Sequence, residues 1–112
     1  MINQFKAPVC RIISLLVEGR YSDIEILTKS VRLAACDVKG IVNEYGRRLI
    51  MPPEEAFNLM NVVRVRNSGP QKWSITMPLW TEEEGRSDLS IIVTLIQSDQ
   101  GIEVELDDIH VL

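Results

Sequence analysis

The chain has one histidine, His110, and two cysteines, Cys10 and Cys36, which stand 26 residues apart. That spacing has no CxxC or Cys/His character, so zinc and dithiol redox chemistry are not expected, and the two thiols read as a reduced, buried pair. Neither GxGxxG nor GxxxxGK[ST] occurs among the six glycines, which removes the usual phosphate-cradling loops and predicts no nucleotide cofactor. No apolar run approaches the roughly 18 to 20 residues that cross a bilayer. The opening from Met1 to Lys6 is too short and too weakly basic to start a signal peptide, so a cytoplasmic protein is predicted. Lysine and arginine are absent after Arg86.

What is present is 112 residues, 46% hydrophobic and 25% charged, enough for one domain, 1–112, with a real core and no staples. The formal charge of −4 hides a division. Residues 1–81 hold eleven basic against seven acidic side chains, whereas residues 82–112 hold one basic against nine acidic. The total argues against nucleic acid or an anionic membrane as partner, and the acidic C-terminal quarter favours a basic one. Arg47 with Arg48, and Arg64 with Arg66, are the strongest basic features and read as solvated or paired.

The first half follows a helical period. Pro8 to Val17 reads as a helix with Pro8 in its first turn and Gly19 ending it. Ser22 and Glu25 fit a capping box that opens a second helix to about Leu27. Val38, Ile41, Val42 and Tyr45 mark a third from about Ala34, stopped by Gly46, with Gly40 inside it for close packing against a neighbour. Pro52 and Pro53 make 47–57 mostly a connection.

After Phe57 the period becomes two. Strands are predicted over 58–66, 72–79, 89–97 and from Ile102, with a turn at Asn67-Ser68-Gly69-Pro70 and another at Ser98-Asp99-Gln100-Gly101. Pro78 should fall at an edge or strand end. In the last strand Ile102, Val104 and Leu106 have even numbers while Ile109 and Val111 have odd ones. One buried face therefore requires a β-bulge near Asp107 and Asp108. The expected architecture is α+β: N-terminal helices packed on a curved four-stranded antiparallel sheet.

Catalytic residues are not predicted. His110 beside Asp107 and Asp108 is a poor metal signature, and no sequence feature nominates a serine to complete a Ser-His-Asp system. The distinctive segment is Pro78 to Asp88, where Trp80 precedes Glu82, Glu83 and Glu84. Tryptophan is enriched at interface centres, and an acidic rim steers a basic partner. Trp80, Glu82, Glu83, Glu84, Asp88, Glu103, Glu105 and Asp107 are therefore the candidate partner-binding residues. The bland alternative is that Trp80 covers a sheet edge and the glutamates are solvated.

The layout resembles the cystatin-like and NTF2-like group of small α+β folds. Leu15 through Tyr21, Pro78 through Leu89 and Val104 through Leu112 resemble a small bacterial family of unknown function, over most of the chain. That resemblance implies no catalytic assignment, so no functional residue is carried over from it.

Three functions follow as expectations. The first is a non-enzymatic protein-binding module, most specifically an immunity protein that neutralises a basic toxin through the acidic C-terminal surface. The second is an NTF2-like ligand binder or small enzyme with a closed apolar cavity approached by His110, Asp108 or Tyr45. The third is a homodimer centred on Trp80; otherwise the protein is a monomer.

Overall fold

In the computed structural model, which describes residues 2–29, 32–66 and 69–111, Pro8 lies inside the first helix, α1 (Ile2–Val17), rather than in its first turn. Proline removes one helical donor, here the partner for the carbonyl four residues back. The extra turn before Pro8 is held from outside, because Phe5 is 6% exposed and its ring lies 5.0 Å from that of Trp73. Helix α2 (Tyr21–Thr28) follows, and the Ser22–Glu25 capping box does not form. Its N-cap residue is Arg20, and the Glu25 carboxylate accepts the backbone N–H of Ala35 at 2.6 Å, capping the next helix instead of its own. Helix α3 (Ala35–Tyr45) ends at Gly46 in the left-handed conformation, as its spacing predicts.

Two further expectations in the helical half fail. Cys10 is half-buried and Cys36 is exposed, and both are free, so they are not a buried pair. Gly40 is exposed on α3 and a Cβ built there meets nothing within 4 Å, so no close packing requires it. Gly40→Ala should therefore stabilise the fold by about 1 kcal/mol through helix propensity and a less flexible unfolded chain. The check is a thermal melt: a rise of a few degrees is expected, and an unchanged or lower Tm would show a constraint on Gly40 that its surroundings do not reveal.

The sheet has five strands rather than four. The addition is β1 (Leu49–Ile50), a two-residue strand within the stretch that reads as a connection; a 3₁₀ turn (Glu54–Leu59) follows it. Proline-rich segments hide such short pieces, because neither is long enough to show a period. The Lys6 ammonium lies over the Phe57 ring and pairs with Glu54, tying this turn to α1. Next come β2 (Asn61–Val65), β3 (Lys72–Thr81), β4 (Gly85–Ser98) and β5 (Gly101–Val111). The expected turn after β2 lies outside the described residues at Asn67 and Ser68. All pairings are antiparallel: β3 is flanked by β4 on one side and by β2 and β1 on the other, and β5 pairs with β4.

Strand β3 is therefore central, but Pro78 still finds a local edge. Strand β2 pairs with residues up to Thr76 and β1 only with Trp80 and Thr81, so Pro78 faces the gap between them. The bulge in β5 is where the parity slip places it: Asp108 pairs with Ile92 and Leu106 with Val93, which leaves Asp107 as the extra residue. Ile75, Met77 and Leu79, then Leu89, Ile91, Val93 and Leu95, then Val104, Leu106 and Ile109 consequently point one way. They form one core with Val9, Ile12, Ile13 and Leu16 of α1, Ile24 of α2 and Val38 of α3. The helices cover this face, and among the described residues the opposite face of the sheet carries none.

Candidate functional site

The uncovered face is built by the alternate residues of the same strands. Across it run the rows Val65, Lys72, Ile96, Glu103; then Val63, Ser74, Thr94, Glu105; then Asn61, Thr76, Ile92, Asp108. Ile92, Thr94 and Ile96 are half-buried, and Val63 is 54% exposed. Because the bulge adds Asp107 beside Asp108, its carboxylate reaches this face as well, where it accepts the Thr94 hydroxyl at 2.5 Å. The other oxygen, Oδ1, is shielded from solvent and has no hydrogen-bond partner. Its nearest cation is the Arg32 Nε at 3.8 Å, beyond hydrogen-bond reach, and Lys29 stands 4.0 Å from Glu103. The Lys29–Glu103 pair is exposed and of small energetic weight, whereas in the other only the arginine is exposed.

The eight candidate residues fall into two groups. Glu103, Glu105 and Asp107 share the β5 row, to which the structure adds Asp108. Glu82, Glu83 and Glu84 form the β3–β4 turn at the opposite end of the sheet, roughly 30 Å from Glu103 at about 3.3 Å per strand residue. Trp80 stands half-buried near the turn, between its cross-strand neighbours Ile50 and Arg86, and Asp88 is exposed on the segment after it. The acidic segments do not converge into one patch.

The turn glutamates are engaged within the molecule. The Arg48 N–H donates to Glu83 at 3.0 Å and the Glu82 N–H to the Arg48 carbonyl at 2.8 Å, which extends the β1–β3 pairing by one residue. Glu84 accepts the Tyr45 hydroxyl at 2.8 Å and the Thr81 hydroxyl at 3.1 Å. Tyr45 was legible as a core-facing helix residue, but its partner lies 39 residues on, and no local pattern announces it. Burial first, and the Glu84 carboxylate second, hold the Tyr45 phenol above its ordinary value of 10.0. The neutral phenol is thus favoured by folding: its stabilisation is complete below pH 10.0 and is lost as pH rises through the folded value. Urea unfolding above pH 10.0 should therefore show a shallower loss of stability in Tyr45→Phe than in the parent chain; parallel slopes would remove Tyr45 as a cause.

His110 lies with Asp108 on the uncovered face, its Nδ1 2.9 Å from Oδ2, because the bulge ends before both residues. The register also supplies what the sequence does not, a serine: Ser90 is the cross-strand partner of His110. At 2% exposure, and with no hydrogen bond joining it to the imidazole, Ser90 is a packed residue and not a nucleophile in reach of substrate. Among the described residues no three His, Cys, Asp or Glu side chains gather as a metal site, and no helix is long and apolar enough to cross a membrane. Between α3 and the sheet end, Ile41, Glu44, Tyr45, Leu89, Ile109 and His110 line a cleft of about 320 Å³ that is open to solvent.

These features define a two-layer α+β protein with one sheet face left open and acidic along one margin. The chain belongs to the DUF7668 family, a domain of unknown function, whose pattern spans residues 13–112. No curated protein and no solved structure matches it.

Proposed function

We propose that the protein is a non-catalytic binding module that presents the open sheet face to a basic partner, and that the partner is a toxin domain it neutralises. The observation that carries this reading is the β5 row: Glu103, Glu105, Asp107 and Asp108 flank the half-buried Ile92 and Ile96 on a face that no helix covers. Apolar centre and charged margin is the anatomy of a protein interface. An arginine or lysine of the partner would supply the hydrogen bond that the shielded Asp107 Oδ1 lacks. A standard interface of about 800 Å² per partner would take about an eighth of the 6599 Å² surface.

The test is titration calorimetry against a basic toxin domain encoded beside this chain. Glu103→Lys combined with Glu105→Lys should weaken binding at least about tenfold and flatten its salt dependence, since neither side chain supports the core. Equal affinity for the parent and the double variant would sink the proposal.

The α3–β5 cleft favours a second reading, a small apolar ligand held between helix and sheet. Its volume is at the lower end for such sites. Ligand-induced shifts of Ile109 and Tyr45 resonances, without shifts on the open face, would support that reading over the first.

A further inference from the structure

The opposite margin of the sheet differs in both charge and backbone. The Gln97 N–H donates to the Gln71 carbonyl at 2.8 Å, so odd residues on that side of β3 turn their backbone groups to β4, and Lys72, Ser74 and Thr76 turn theirs to β2. Their partners Val65, Val63 and Asn61 face β3 in return. The N–H and C=O groups of Val62 and Arg64 consequently point away from the sheet, where no strand of the described residues lies. Edges of this kind are templates for an added strand.

Three further features select what would add. Arg64 projects on the side of Trp73, Arg66 follows in the turn just past the strand, and neither is in an ion pair among the described residues. Val63 and Val65 project on the other side, 54% and 37% exposed. Beside Arg64 lies an open groove of about 450 Å³ lined by Gln4, Phe5, Val62, Gln71 and Trp73.

We infer that β2 is a docking edge for an extended acidic segment of a partner protein, which adds as an antiparallel strand. Pairing opposite Val62 and Arg64 makes four main-chain hydrogen bonds, two per pair. Alternate side chains of the incoming segment then meet two environments. Those on the groove side are carboxylates, one opposite Arg64 and another within reach of Arg66 at the strand end, and those on the other side are β-branched residues covering Val63 and Val65. The segment is thus acidic and apolar by turns. Val63 and Val65 share the open face with the β5 row, but the inference rests on the β2 edge and its arginines and not on that row, whose charge is opposite and which lies across the sheet.

The experiment is NMR titration of the full chain with a short synthetic peptide of alternating valine and glutamate. The Val62 and Arg64 amides should shift and gain protection from hydrogen exchange, with affinity falling as salt rises. Val62→Pro removes an outward N–H without touching the β2–β3 ladder, and should weaken binding at least about tenfold. Arg64→Glu with Arg66→Glu keeps every backbone group and should abolish binding even if the proline variant misfolds. The inference is overturned if the acidic peptide leaves the β2 amides unmoved or if a valine–lysine peptide binds equally well. It is likewise overturned if sedimentation shows a dimer that Val62→Pro dissociates, since the edge would then belong to a second copy. Glu103→Lys with Glu105→Lys, which tests the β5 face, should leave peptide binding intact.

Discussion

Deleting Glu105 is expected to destabilise the protein by about 3 kcal/mol or more, whereas deleting one of the adjacent pair Asp107 and Asp108 is expected to cost about 1 kcal/mol or less. The contrast follows from side-chain parity in β5. Val104 and Leu106, 6% and 2% exposed, reach the core because Glu105 stands between them. Without it they become neighbours, and one must turn to the open face unless a second irregularity intervenes. Exposing a buried leucine costs roughly 1.5 to 3 kcal/mol, and any register that rescues Leu106 does so by displacing Ile109 or Val104. Loss of one aspartate has the opposite consequence. The shortened strand reads Leu106, Asp, Ile109, His110, Val111, a regular alternation that keeps Leu106 opposite Val93 and Ile109 opposite Ile91. What is lost is the exposed side of the bulge and the Thr94 bond to Asp107. Urea midpoints of the two deletions decide the matter. Equal destabilisation would mean that the bulge itself, and not the alternation around it, holds β5.

That bulge was readable from the residues because inserting one residue changes the parity of every apolar position after it. Ile102, Val104 and Leu106 are even-numbered while Ile109 and Val111 are odd-numbered, so the slip is written into the pattern. A second irregularity was not readable. Pro78 pairs with Ser90 and Trp80 with Arg86, so Leu79 alone faces residues 87–89 and β4 carries two extra residues. Two extra residues restore parity, and the pattern of inward Ser87, Leu89 and Ile91 continues as if nothing intervened. The segment from Trp80 to Asp88, with its three successive glutamates, reads as a loop, although β4 already begins at Gly85.

Non-local partners account for the other differences. Ser22 and Glu25 have the spacing of a cap, but Glu25 is taken by Ala35, ten residues on. Glu82, Glu83 and Glu84 look alike in sequence, and only the structure shows which of their groups meet Arg48 and which meets Tyr45. Composition located the acidic quarter of the chain. It did not indicate that the sheet places its two acidic segments at opposite ends, nor that Arg64 and Arg66 stand on the far margin.

The two-residue bulge yields the remaining large effect: Ser87→Ala is expected to cost about 2 to 4 kcal/mol. Ser87 is 5% exposed, and its hydroxyl stands in for the missing ladder: it donates to the Leu79 carbonyl at 2.8 Å and accepts the Leu89 N–H at 3.1 Å. Alanine leaves both backbone groups without a partner between Leu79 and Leu89, which are 1% and 2% exposed, and each such group costs about 1 to 3 kcal/mol when unpaired. Ser87→Thr retains the oxygen and should recover most of the loss, which separates the hydrogen bonds from simple packing. A destabilisation below about 1 kcal/mol would indicate that water enters and bridges Leu79 to Leu89. The same variant bears on the proposed binding face. Because the bulge sets how Trp80 and the glutamate turn leave the sheet while the β5 row is anchored elsewhere, Ser87→Ala should lower the urea midpoint and loosen the Tyr45–Glu84 contact. Affinity for a basic partner, measured where the variant is still folded, should stay within about twofold of the parent.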